Sequence, residues 1–234
     1  MDARRGQVFT KLAREITVAV REGGPDPEAN YRLRLAIQRA RRENMPSENI
    51  ERAIRRAAGA AEGEAFEEVY YEAYGPKGTA ILIQALTDNR NRTVGELRSI
   101  ITRGGGSMAE AGSVAWLFDQ KGLIVVSAGH ADPEDVALQA IDAGAEDVRV
   151  VGNEIEVYTE PSELRRVEEA LKAAGLQVVS AERTMVPKAL MSLNSEETAQ
   201  VLRLLERIEE LDDVQQVFTN LDIPDELAAV GSEA

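Results

Sequence analysis

The order of elements signalled between residues 122 and 185 constrains this chain more than any other feature. Residues 123–126 are apolar and rich in β-branched side chains, as a buried strand is. Asp132-Pro133 supplies an N-cap and a first helical residue for a helix to residue 143. Two strands, 147–151 and 154–158, flank a Gly152-Asn153 turn and so read as a hairpin. A helix over 161–174 and a strand over 176–180 complete the series. Strand-helix-strand-strand-helix-strand is the ferredoxin-like unit, which closes its own sheet.

The flanking chain must then be arranged around that unit. Residues 69–74, 79–86 and 113–118 read as strands, with Gly75-Pro76-Lys77-Gly78 turning between the first two. Residues 93–102 read as a short helix ended by Gly104-Gly105-Gly106, a C-cap and flexible turn. After residue 185 come a segment over 189–193, a helix opened by a capping box from Asn194 to Glu197, and a strand over 214–220. These trailing pieces cannot form a core alone. They are expected to return to the sheet of 61–121, which makes 122–185 an insertion into a discontinuous α+β domain of 61–121 plus 186–234. Residues 225–234 read as a frayed tail.

The first 60 residues are helical instead. Val8, Leu12, Ile16, Ala19 and Val20 share one arc of a helix over 3–22, opposite Arg4, Lys11, Arg14 and Arg21. Gly23-Gly24 stops it. Asp26 and Pro27 are expected to open a second helix running to Glu43, its Leu33, Ala36, Ile37 and Ala40 turned inward. Arg32 and Arg39 flank that stripe on one side, Arg34 and Arg41 on the other. Pro46 opens a third helix over 47–58, with Arg52, Arg55 and Arg56 opposite Ile50, Ala53, Ile54 and Ala57. The three are expected to form a small bundle as domain 1–60, with 59–63 as a linker. The fold class is α+β.

Chemistry of the usual catalytic kinds has little to work with. The chain has no cysteine and a single histidine, His130, which sits in a loop ahead of a helix. Disulfides, Cys-built metal sites and His-rich metal sites are excluded. Glu67-Glu68, Glu168-Glu169, Glu209-Glu210 and Asp212-Asp213 are adjacent pairs, and adjacent residues do not face each other on a helix. They read as solvated acidic faces. No G-x-x-x-x-G-K-[ST] loop is present. Trp116 lies in Val114-Ala115-Trp116-Leu117-Phe118, apolar on both faces, and reads as core. The expectation is a non-enzyme without cofactor or metal. No apolar run approaches the roughly 18 residues of a membrane span, and no secretory signal opens the chain, so the cytoplasm is the expected location.

Charge points to a partner. The net charge is −14, which taken globally argues against nucleic acid. Residues 1–60, however, hold 13 Lys and Arg against 8 Asp and Glu, a balance of +5, whereas 61–234 hold 14 against 33, or −19. A basic arm on an acidic body fits phosphate contact, for which guanidinium groups are suited. The candidate contacts are Arg4, Arg5, Lys11, Arg14, Arg21, Arg32, Arg34, Arg41, Arg52, Arg55 and Arg56. The alternative is that these faces dock on the chain's own acidic body or simply solubilise it. Arg90 and Arg92 lie at the start of a helix, where the dipole disfavours cations, so an anion is expected beside them: a partner's phosphate, or a carboxylate such as Asp88 or Glu96. Tyr31 is the one stacking candidate among the helices.

Several separately placed motifs resemble the YebC family. They are Arg21-Glu22-Gly23-Gly24, Asp26-Pro27-Glu28-Ala29-Asn30, Arg32 through Ile37, and Asn44-Met45-Pro46 through Ile54. Tyr71 through Pro76, Thr87 through Thr93 and Gly112 through Trp116 continue the series in order. The likeness runs from about residue 2 to Asp222. It implies a helical domain, an α+β domain and a ferredoxin-like domain inserted into it, with no catalytic activity. The family has been called both a transcriptional regulator and a translational activator. Its mitochondrial member resembles an activator of cytochrome oxidase subunit synthesis. Bacterial relatives have been described as DNA-binding regulators and as ribosome-associated factors that relieve stalled, proline-rich synthesis.

Two departures stand out. The family's basic Gly-His-Ser-Lys-Trp-Ala opening is not in this sequence, so the expectation is a trimmed start or a looser hold on the partner. Ala73 stands where the family favours Gly, which puts the backbone there in question. The expected partner is nucleic acid, either ribosomal RNA, with the ribosome itself as a possible host, or duplex DNA. RNA is favoured, because no helix pair reads as a helix-turn-helix and an acidic body is repelled by long DNA. A protein-interaction adaptor working through its acidic domains is the reading from another class. The sequence leaves the oligomeric state open.

Overall fold

A computed structural model describes residues 2–59 and 66–223. The linker expected over 59–63 lies, beyond Gly59, outside the described residues, as does the expected tail over 225–234. The chain divides into two compact units. One comprises the described parts of 1–18, 59–119 and 187–234, the other 19–58 and 120–186.

The first unit is built on an antiparallel sheet. Strand β1 (Glu67–Tyr74) pairs with β2 (Ala80–Thr87) in unbroken register from Glu67↔Thr87 to Tyr74↔Ala80. Ala73 lies within this regular pairing, fully buried, so a methyl group is accommodated where the family favours Gly. Helix α4 (Arg90–Arg103) follows, capped by Asn89, whose side chain accepts from the Arg92 N–H. It starts three residues earlier than the sequence pattern indicates. Its C-cap is Gly104, and Gly105 adopts φ 84°, the left-handed geometry in which glycine is at ease. The short strand β3 (Ser107–Met108) then pairs with β1.

The trailing elements return to this sheet. Strand β8 (Val214–Thr219) pairs antiparallel with β2, giving the order β3-β1-β2-β8. Helix α7 (Ser195–Glu209) carries the capping box expected at Asn194 and Glu197. Val201, Leu204, Leu205 and Ile208 of α7 join Leu97 and Ile101 of α4 over Ile81 and Ile83 of β2 in one core. β2 is buried along both faces, which explains its nearly continuous apolar run.

The second unit holds the ferredoxin-like motif. Strand β4 (Phe118–Ser127), helix α5 (Pro133–Asp142), strands β5 (Asp147–Val151) and β6 (Glu154–Thr159), helix α6 (Leu164–Ala173) and strand β7 (Gln177–Pro187) form a sheet of order β5-β6-β4-β7. Ile124, Val126, Ile155 and Val157 meet Val136, Val167 and Leu171 of the helices.

The N-terminal helices are α1 (Asp2–Gly23), α2 (Tyr31–Arg42) and α3 (Ser47–Gly59). They do not constitute a compact unit of their own; the division falls inside α1, between Val18 and Ala19. Tyr31 and Leu35 of α2 pack on the ferredoxin-like core. Asn30, not Asp26, caps α2: its Oδ1 accepts from the Leu33 N–H at 3.0 Å while its Nδ2 donates to the carbonyls of Ala19 and Gly24. Asp26 caps only the turn before it, accepting from the Glu28 N–H at 2.9 Å.

The sequence expectation fails over 113–118. This stretch is not a strand; Ala115–Leu117 form a 3-10 turn ahead of β4. Trp116 is 64% exposed rather than core. The cause lies 40 residues upstream. Glu72, buried in β1, accepts the backbone N–H groups of Gly112, Val114 and Ala115 at 2.7, 2.5 and 2.8 Å and bends the loop around its carboxylate. Burial opposes the charge on Glu72, but these three donors outweigh it and hold its pKa below the ordinary carboxylate value.

Candidate nucleic-acid interface

The basic residues separate into those engaged inside the protein and those facing solvent. On α1, Gln7, Lys11 and Arg14 lie one helical turn apart on a single face. The Gln7 amide donates to the Glu210 carbonyl, the Lys11 ammonium to the Glu209 carbonyl, and Arg14 Nη1 to the Asp212 carbonyl at 2.9 Å. All three acceptors lie at the C-terminal end of α7 or just beyond it, where carbonyls lack helical partners and the dipole is negative. Lys11 and Arg14 were expected to project into solvent; the structure turns them onto the protein itself, because unsatisfied carbonyls attract cations as phosphates do.

Arg14 also reaches Asp213, Nη1 to Oδ1 at 2.6 Å, and its guanidinium lies over the Phe66 ring. The sequence alone marks Asp213 as half of a solvated acidic pair. It is 3% exposed. Arg92 Nη2 donates to its Oδ2 at 2.8 Å and the Thr93 hydroxyl donates to the same oxygen at 2.7 Å. Burial would raise its pKa, but Arg92, Thr93 and Arg14 together hold it below the ordinary value. Glu168, from another such pair, is also buried, taking a hydrogen bond from the Tyr31 hydroxyl at 2.8 Å and an ion pair from Lys172. Tyr31 is therefore a packing residue rather than a free stacking ring.

The anion expected beside Arg90 and Arg92 is internal. Arg90 pairs with Glu67, both side chains open to water as in the pairs of α3, and Arg92 with Asp88 as well as buried Asp213. Arg34 closes its own turn, donating to the carbonyls of Pro27 and Glu28 at 3.2 and 2.9 Å. Arg32 pairs with Glu22 at 2.6 Å.

What faces solvent lies chiefly on α3 and the end of α2. Arg52, Arg55 and Arg56 are exposed on the side of α3 opposite buried Ile50, Ala53 and Ala57. Arg52 pairs with Glu48 at 2.9 Å and Arg55 with Glu51 at 3.5 Å, both one turn apart and open to water. Exposed pairs of this kind contribute about 0.3–0.5 kcal/mol, so little stability is lost when one is broken. Arg41 and Arg42 are exposed in the last turn of α2, where they also complement its dipole. Arg21 is exposed on α1. Arg4 and Arg5 are exposed near its start, Arg5 over the Phe9 ring at 5.6 Å.

The model for the TACO1/YebC protein N-terminal domain matches residues 1–60, and that for the TACO1/YebC second and third domain matches residues 66–221. The chain belongs to the TACO1/YebC family. A probable transcriptional regulatory protein of Herpetosiphon aurantiacus is 52% identical over 229 residues, covering 97% of this chain and 91% of the relative. One from Chloroflexus aggregans is 53% identical with the same coverage. Among solved structures, a conserved hypothetical protein from Aquifex aeolicus superimposes with a TM-score of 0.89 at 48% identity, covering 97% of this chain and 93% of that one. Membership of the TACO1/YebC family accounts for the ordered motifs in the sequence. Two of them meet in space: Tyr71 through Pro76 carries Glu72, and Gly112 through Trp116 is the loop Glu72 holds. Among the described residues no helix is long and apolar enough to cross a membrane.

Proposed function

We propose that this chain is a non-enzymatic, cytoplasmic regulator of gene expression that binds structured RNA, acting as a ribosome-associated activator of translation that eases stalled synthesis. The observation that carries the reading is the α3 face. Arg52, Arg55 and Arg56 stand opposite a buried stripe, Arg52 and Arg55 paired with water-exposed glutamates, while Lys11, Arg14, Arg34 and Arg92 are held by backbone carbonyls or by buried Asp213. Arg41, at the end of α2, extends the contact set, with Arg4, Arg5, Arg21 and Arg32 as weaker contributors. Shape and phosphate recognition of folded RNA requires no base-reading helix. The relatives' name of probable transcriptional regulatory protein supports a regulator and keeps duplex DNA as the second reading.

The test is a salt titration of binding to a folded ribosomal RNA fragment and to a DNA duplex. Affinity should fall linearly in log–log form, and at equal length and salt it should be higher for the true partner. Glutamine at Arg52, Arg55 and Arg56 together should shallow the slope by about 2 to 3, since each phosphate contact contributes about 0.7 to 0.9. A slope unchanged by the triple substitution places the interface elsewhere.

A further inference from the structure

The Glu72-held loop presents aromatic rings that the arginine face does not use. Trp116 is 64% exposed and Tyr74, in the neighbouring strand end, 37%. Both polar edges converge on one atom: the Trp116 indole N–H donates to the Ser113 carbonyl at 3.0 Å and the Tyr74 hydroxyl to the same carbonyl at 3.3 Å. The rings are thus oriented by internal bonds, and their π faces are what remains for a partner. The loop behind them is rigidly tied. Besides the three bonds to Glu72, the Ala109 N–H donates to the Glu72 carbonyl, and the Leu117 carbonyl accepts from the Lys188 N–H at 2.8 Å.

We propose that Trp116, with Tyr74 beside it, stacks on an unpaired base of single-stranded RNA, a contact separate from the α3 arginines. The inference rests on the nucleic-acid reading above and extends it from phosphates to bases. A protein partner fits less well. The loop before Trp116, residues 109–113, is made of small residues and one exposed carboxylate, Glu110, with no apolar centre, whereas a stable protein interface needs about 1,200 Å² around one. A base needs only one ring face. The cations also complement a phosphate chain. Lys77 follows Tyr74 in the turn, Arg103 precedes the glycines leading into β3, which pairs with Tyr74, and Lys188 adjoins Leu117. Lys77 and Lys188 hold only a carboxylate each, with both lysine side chains about half exposed.

The chain contains one tryptophan, so tryptophan emission, excited at a wavelength that the five tyrosines do not absorb, reports this loop alone. An unstructured, dye-labelled ten-nucleotide RNA and an RNA duplex of equal length are titrated into the full chain, following Trp116 emission and dye anisotropy together. The single strand is expected to quench Trp116 and the duplex to leave it unchanged. Trp116→Leu should weaken single-strand binding about 5- to 150-fold, the range for one lost base-aromatic stack, while Trp116→Phe retains most of it. Binding seen by anisotropy without quenching overturns the stacking proposal and leaves the regulator reading intact. No binding of either RNA overturns the stacking and tells against the RNA reading together. An emission shift that grows with protein concentration in the absence of RNA means that a second copy covers the rings, and also overturns it.

Discussion

Arg14 and Asp213, 199 residues apart, meet at 2.6 Å with the carboxylate almost wholly buried. The pair joins the first helix of the chain to the turn before its last strand. Arg92 and Thr93 complete the ring of donors around the same carboxylate.

Asp213→Asn should therefore be costly. It removes the charge that two arginines share but leaves both in place, at a cost of about 2 kcal/mol, since hydrogen bonds to charged groups contribute about 1.5–3. The melting temperature should fall by about 4–8 °C in a chain of this size. Arg90→Ala, which breaks an exposed pair with Glu67, should cost under about 1 kcal/mol. Calorimetry on the two variants checks the ranking, and equal losses would contradict it.

Lowered carboxylate pKa values fix the sign of the acid response. Glu72 and Asp213 are both held below their unfolded values, so their stabilisation is present in full above the unfolded pKa of about 4 and is lost as pH falls through the folded values. Below about pH 4 the Trp116 emission should change as the 112–115 loop leaves Glu72. Glu72→Gln, which presents an amide to three N–H donors, should produce that altered emission already at pH 7 and cost about 1–3 kcal/mol.

Replacing the α3 arginines and replacing the docked α1 cations should have opposite signatures. Arg52, Arg55 and Arg56 to Gln should change the salt dependence of binding and hardly touch stability, about 0.5 kcal/mol or less per site. Lys11→Gln with Arg14→Gln should lower the melting temperature and leave the salt slope as it is. Paired melting curves and salt titrations distinguish the two sets.

Tyr31→Phe deletes the hydroxyl bonded to buried Glu168 while keeping the ring on the ferredoxin-like core. Loss of about 1–3 kcal/mol is expected, since the carboxylate keeps Lys172 but loses one donor. Tyr31→Ala should cost more, because the ring packing goes as well. Urea denaturation followed by circular dichroism measures both.

Where local signals decide, the sequence is readable. Gly152 in the β5–β6 hairpin, the Asp132 cap and the Asn194–Glu197 box are contained within a few residues, and those elements stand where the pattern places them. Errors arise where a distant residue decides. Val114 through Phe118 has the composition of a buried strand, and only Glu72, remote in sequence, bends it and exposes Trp116. The arginines illustrate the same limit. Periodicity identifies the side of α1 that bears Lys11 and Arg14, but phosphates and carbonyl oxygens attract that side alike, and the carbonyls of 209–212 lie nearly 200 residues away. Asp26 and Asn30 are both good caps; Asn30 prevails because its amide also satisfies two carbonyls that Asp26 has no protons to reach.

The clasp of Gln7, Lys11 and Arg14 on the end of α7 has a consequence for the order of assembly. During vectorial synthesis the first helix emerges long before its seat exists, since residues 209–213 come nearly 200 positions later. The inserted ferredoxin-like motif can form in the interval, its own contacts being closer in sequence. The opening helix must wait, its charged face bare, and closing so long a loop adds an entropic delay that grows with the logarithm of its length. Nascent chains arrested before residue 209 should therefore carry an α1 face open to proteases and chaperones, which chain completion buries.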